Sequence, residues 1–78
     1  MSNLEKYNAA FCETLKVEES QLANLKYQDI PAWDSVGHMS LVAALEDSFD
    51  IMMETDDIID LSSYEKGKVI LKKYDVEF

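Results

Sequence analysis

Ser35 and His38 stand three residues apart, a spacing that brings a hydroxyl and an imidazole together on one helix face. A nucleophile and its general base need that proximity. Nothing else around them supports the pairing. His38 is the single histidine, no glycine-rich elbow precedes Ser35, and no oxyanion hole is legible. Asp56, Asp57 and Asp60 form a second cluster. A calcium loop of the EF-hand kind needs alternating oxygen ligands, a central glycine and a terminal glutamate. None of these follows, so the three aspartates read as a solvated face. Cys12 is the one cysteine, which excludes an internal disulfide and a cysteine-based zinc site. It reads as a small buried hydrophobe rather than a reactive thiol. No glycine-rich loop could cradle a phosphate. What remains is Asp34-Ser35, two residue types that favour helix starts because their oxygens accept from unpaired backbone N–H groups. A hydroxyl placed there is exposed and conformationally fixed. A phosphodiester on it would lie near the positive end of the helix dipole. That geometry suits covalent modification more than catalysis.

The elements that position Ser35 follow from the apolar spacing. Ser2 and Glu5 fit a capping box ahead of a stripe formed by Leu4, Tyr7, Phe11 and Leu15, which predicts a helix over 3–16. Residues 17–33 hold no period. Leu22, Leu25, Ile30 and Trp33 are irregularly spaced, and Pro31 disfavours helix before it. The segment reads as a long loop with room for one short turn, and Trp33 as its anchor rather than a ligand platform. A second helix begins at Asp34-Ser35 and runs to Phe49, with His38, Leu41, Val42, Leu45 and Phe49 on the core face. Its other side carries Val36, Met39 and Ala43, flanked by Ser40, Glu46 and Asp47. An apolar strip rimmed by carboxylates has the form of a protein-docking surface. Thr55 and Asp56 are placed to cap a short third helix over 56–61, with Ile58, Ile59 and Leu61 as its apolar members. Ser62 and Glu65 offer a second capping box for a fourth helix over 63–74, with Tyr64, Ile70, Leu71 and Tyr74 facing inward. Gly67 falls on that inward stripe, where its missing side chain permits close helix approach at a cost in propensity of about 1 kcal/mol. The expected fold is therefore all-α, a small four-helix bundle with a long loop between its first two helices and a short third helix.

Size and charge narrow the function. Seventy-eight residues fit one domain over 1–78, with one modest core and little room for a deep substrate pocket. Hydrophobic residues make up 47 %, too many for a disordered chain. No apolar run approaches the roughly 18–20 residues of a membrane span. The first residues lack a basic region followed by an apolar stretch, so no signal peptide is expected and the default compartment is the cytoplasm. Sixteen acids oppose seven lysines, for a net charge of −9. Nucleic-acid binding and adhesion to anionic lipid both need a basic patch and are not expected. Residues 27–60 hold nine of the acids and no base. An all-acidic middle points to basic partners, although acidity also serves simply to keep a small domain in solution.

These residues together resemble the acyl carrier protein family. The resemblance is carried by Asp34-Ser35-Val36, by Leu41-Val42-Ala43-Ala44-Leu45-Glu46-Asp47-Ser48-Phe49-Asp50-Ile51, and by Leu61-Ser62-Ser63-Tyr64. A bare D-S-V recurs by chance. Followed at this offset by L-x-x-x-L-E-x-x-F-x-I on an acidic helical pattern, it is specific, and the likeness covers nearly the whole chain. Gly37 and His38 depart from the housekeeping fatty-acid carriers, which have an acid and a threonine near those positions. The run Trp33–Met39 looks more like stand-alone carriers of bacterial biosynthetic clusters.

The resemblance implies a bundle of acyl-carrier type acting as a monomer, not an enzyme. It implies 4′-phosphopantetheine attached to Ser35 from coenzyme A by a phosphopantetheinyl transferase, with Asp34 assisting at the docking site. The arm would carry an acyl or aminoacyl group as a thioester and present it to activating and transferring enzymes with basic docking patches. By position, Val36, Met39, Ser40, Ala43, Glu46 and Asp47 match the family's partner face. Ser48 also follows an aspartate but falls late in the helix, away from an N-terminus, and is not the expected attachment site. The alternative is an unmodified acidic helical adaptor that binds basic proteins through the same helix. Fatty acyl, hydroxyacyl, D-alanyl and other aminoacyl cargoes all remain open.

Overall fold

In a computed structural model, which describes residues 2–78, four α-helices follow in order. They are α1 (Asn3–Leu15), α2 (Ser35–Phe49), α3 (Thr55–Asp60) and α4 (Tyr64–Lys72). No β-strand forms among the described residues, and no helix is long and apolar enough to cross a membrane.

The predicted start of α1 is built as a reciprocal capping box: Ser2 Oγ accepts from Glu5 N, and Glu5 Oε1 accepts from Ser2 N. Tyr7, Phe11 and Leu15 are buried, as the stripe predicts, but Leu4 is 39 % exposed. The first turn of α1 lies beyond the edge of the core, so periodicity alone overcounts it. Cys12 is only half-buried against the core. α1 packs chiefly on α2, whose Leu41, Val42 and Leu45 are buried, while His38 and Phe49 are half-buried on the same side.

Between α1 and α2 the loop contains one 3-10 turn, Glu19–Gln21. Leu22, Leu25 and Trp33 are buried and Ile30 packs on them, so the four apolar side chains do pin it. The loop is also fastened by backbone pairing that the sequence did not announce. Lys26 bridges Ser63, with Tyr27 N donating to Ser62 O and Tyr64 N to Leu25 O. This pairing displaces the expected capping box. Ser63, the bridged residue, and not Ser62, occupies the N-cap of α4 and accepts from Lys66 N.

α3 also differs from expectation at its start. Glu54 is the N-cap residue and makes no side-chain cap, while Thr55 and Asp56 lie inside the helix. Leu61 is buried and Ile58 half-buried, but Ile59 is 72 % exposed. Consecutive residues on a helix point about 100° apart, so Ile58 and Ile59 cannot both face inward. Gly67 meets its expectation. A methyl group there would run into Tyr7 Oη and press on Leu61 Cδ1. Tyr7 is fully buried, donates to Tyr64 O and packs with tilted rings against Phe11 and Tyr64. Burial pushes its phenol well above the ordinary tyrosine range.

Candidate functional site

Ser35 is the first residue of α2 and is exposed. Asp34 stands at the N-cap, its Oδ1 accepting from Gly37 N at 2.8 Å. One orphan N–H of the helix start is thereby satisfied by the residue next to Ser35. The Ser35 hydroxyl makes no hydrogen bond of its own among the described residues, so its oxygen is available to an incoming group. Gly37 has a second role that sequence reading missed. A Cβ there would collide with the Ala32 carbonyl oxygen. Only glycine lets the end of the loop lie this close to the first turn of α2, which sets where Asp34 and Ser35 begin.

Neither ring nitrogen of His38 is bonded to Ser35. Trp33 Nε1 donates to His38 Nδ1 at 3.0 Å, and His38 Nε2 is 2.7 Å from Ile58 O. Both ring nitrogens are committed, to the loop on one side and to α3 on the other. Trp33 is the loop anchor that its position suggests, fully buried and edge-on to Phe11.

Beside Ser35 lies an open cleft of about 320 Å³ between α2 and α3. Ser35, His38 and Met39 line it from α2, Ile58 and Ile59 from α3 and Leu61 from its end, together with Tyr27 and Ser62. Most of its lining is apolar. Sequence reading placed Ile58 and Ile59 on a helix but gave no sign that they face Ser35.

The outer side of α2 is as apolar as the sequence suggests. Val36 is 74 % and Met39 54 % exposed, and Ala43, Ser40 and Asp47 are exposed with them. Ile59 of α3 extends this surface through the cleft that it shares with Met39. Glu46 departs from the expected rim. It is half-buried, and its Oε2 accepts from Met53 N at 2.9 Å, so it fastens the link between α2 and α3. Ser48 is exposed near the C-terminal end of α2.

The aspartate cluster needs the largest correction. Asp57 is buried, not solvated. Its Oδ1 accepts from Lys73 Nζ and its Oδ2 from Tyr74 Oη, and Tyr74 Oη in turn accepts from Glu54 N. These bonds hold the Asp57 carboxyl below the ordinary aspartate range, with the Lys73 bond the main cause, and hold the Lys73 ammonium above its ordinary range. Asp56 and Asp60 remain exposed. No three acids, histidines or cysteines converge to hold a metal among the described residues.

No family model, no curated protein and no solved structure matches this chain.

Proposed function

We propose that this chain is a carrier protein of the acyl carrier type, with Ser35 as the attachment point for 4′-phosphopantetheine. The observation that carries the reading is the state of Ser35: an exposed hydroxyl without a hydrogen bond among the described residues, at the first residue of a 15-residue helix. The D-S-V motif and its downstream pattern supply the rest. The residues present fit such a group. The start of α2 favours the phosphodiester's negative charge. Asp34, bound through one oxygen to Gly37 N, leaves its other oxygen for a transferase. The apolar cleft offers a wall along which a chain leaving Ser35 can lie.

In attachment, Ser35 Oγ forms a bond to the pantetheine-side phosphorus of coenzyme A. The pyrophosphate P–O bond breaks, the nucleotide half departs, and the hydroxyl proton passes to a base of the transferase. When bound, the arm supplies a thiol that holds an acyl or aminoacyl group as a thioester. The chain's own part is to present Ser35 and to offer Val36, Met39, Ala43, Ser40 and Asp47 to successive basic-rimmed enzymes. Acidic rims speed such encounters, and the apolar strip supplies contact afterwards. The same surface would serve an unmodified adaptor, so modification decides between the two.

The test is incubation with coenzyme A and a promiscuous phosphopantetheinyl transferase, followed by mass spectrometry. Wild type and Ser48→Ala are expected to gain one phosphopantetheine, and Ser35→Ala none. Helix content of Ser35→Ala should stay near wild type, because Asp34 and not Ser35 caps α2. A wild-type chain that gains nothing sinks the carrier reading, and a modified Ser35→Ala sinks the site.

A further inference from the structure

Three parts of the fold meet on the His38 ring. Trp33 Nε1 donates to its Nδ1 from the loop, and Ile58 O faces its Nε2 from α3. An indole N–H only donates and a carbonyl oxygen only accepts. The two contacts therefore require one form of the ring, neutral, with its proton on Nε2 and its lone pair on Nδ1. The imidazole lies nearly parallel to the Trp33 indole, at 16° and 6.3 Å, and edge-on to the Tyr27 ring at 5.3 Å. Trp33 is fully buried, so its N–H has no water to turn to when Nδ1 is lost as an acceptor. Trp33 lies two residues before Ser35, and Ile58 stands on the opposite wall of the cleft.

The geometry points to His38 as a positioning residue for Ser35: in its neutral form it ties the loop end to α2 and α2 to α3, holding the hydroxyl and the cleft wall in register. Its action on modification rests on the carrier reading, but the tie itself does not. The tie is also proton-sensitive on one side only. A second proton occupies Nδ1, two N–H groups then face each other, and the Trp33 bond is lost. Nε2 remains a donor, and the Ile58 bond persists.

The titratable groups around the ring are accounted for. From the loop comes the Tyr27 phenol. On α2 Asp34 is held by Gly37 N. On α3 Asp57 is engaged with Lys73 and Tyr74, and Asp56 and Asp60 are exposed. None of these carboxylates forms an ion pair with the imidazole among the described residues.

His38→Gln and His38→Phe test the proposal in the intact chain. Glutamine carries an acceptor and donors at every pH, whereas phenylalanine fills the space with neither. The first readout is NMR. In wild type at pH 8 the imidazole should be the Nε2–H tautomer and the Trp33 indole proton protected from exchange. Its protection factor should fall about tenfold once the ring's own nitrogen shifts report the second proton, matching loss of one hydrogen bond of about 1.4 kcal/mol. The Ser35 amide signal should shift in parallel. The Gln variant should keep protection across the range and the Phe variant lack it throughout. The second readout is kcat/KM for Ser35 modification, taken as the ratio of wild type to His38→Gln at each pH, which cancels the transferase's own pH dependence. That ratio should fall severalfold between samples whose ring shifts report the neutral imidazole and samples whose shifts report the second proton. A proton on Nδ1 at pH 8, or a Gln variant as unprotected as the Phe variant, overturns the tie. A ratio that stays flat while the indole bond breaks overturns the positioning role. If wild type is not modified at any pH, the carrier reading falls. The Ser35 amide shift then decides the positioning role, and an amide that ignores His38 protonation overturns it.

Discussion

α1 and α3 are held in place by opposite means. α1 is thirteen residues long, closes its start with a capping box, and buries Tyr7, Ala10, Phe11 and Leu15. α3 is six residues long, has no side-chain cap, and leaves Ile59 in solvent. Its buried member within the helix is an aspartate. What fixes α3 is polar and comes from its neighbours: Lys73 and Tyr74 on Asp57, and His38 on the Ile58 carbonyl. Apolar burial accumulates with area and tolerates small shifts. Hydrogen bonds to a few named atoms do not, and they respond to protons. The wall of the cleft beside Ser35 is thus the part of the fold most open to local adjustment.

Removing core area from α1 should have the largest effect. Phe11→Ala should cost about 3–5 kcal/mol, read from chemical denaturation, because Phe11 contacts Tyr7, Trp33 and Tyr64 at once. A loss below about 1 kcal/mol would show that α1 is not the apolar anchor described here.

Asp57→Asn should cost less globally and act mainly on α3. Amide exchange of α3 should accelerate while that of α1 stays unchanged. The pH dependence has a definite sign. The Asp57 carboxyl is lowered, first by Lys73 and then by Tyr74. Its contribution is therefore fully present above the ordinary aspartate range and is lost as pH falls through the lowered value. Lys73 is raised by the same bond, so its contribution persists from neutral pH upward until the raised lysine value is passed. The Tm difference between wild type and Asp57→Asn should be widest near pH 7, begin to shrink near the unfolded aspartate value of about 3.9, and close only as pH falls through the lowered native value. A gap of constant size down to pH 2 would assign the effect to shape rather than charge.

The smallest change is at the start of α1. Ser2→Ala removes one half of the capping box and should cost about 1 kcal/mol with no effect on exchange in α3. An effect on both helices would mean that the two are not independently held.

This contrast also explains what the sequence could disclose. Tyr7, Phe11 and Leu15, the anchor Trp33, and Leu41, Val42 and Leu45 are spaced by the helix period or flanked by breakers, and all were legible. So was the start of α2 at Asp34-Ser35, where local chemistry and helix position coincide. Asp57 was not, because its burial depends on Lys73 and Tyr74, which no period links to it. Glu46 belongs to the same class, since its partner is a backbone N–H in a segment without pattern. Gly37 needs the Ala32 carbonyl to be explained, and that carbonyl is positioned by the folded loop. The exposed Val36 and Met39 were legible, whereas the cleft that Met39 lines was not. It arises only when α3 is set down beside α2.

The bridge between Lys26 and Ser63 bears on the order in which the chain assembles. Most contacts of a helical fold are local and form quickly, but this one joins the middle of the first loop to the threshold of α4. The loop cannot adopt its final path until α4 has begun to settle, since Leu25 O and Ser62 O receive their donors only across that join. The loop also divides into two parts of unequal tolerance. Residues around Glu19–Gln21 precede the join and lie exposed, where extra length adds little closure entropy. Residues 25–34 span the join and the start of α2, and a single insertion there would alter the reach between Ser63 and Ser35.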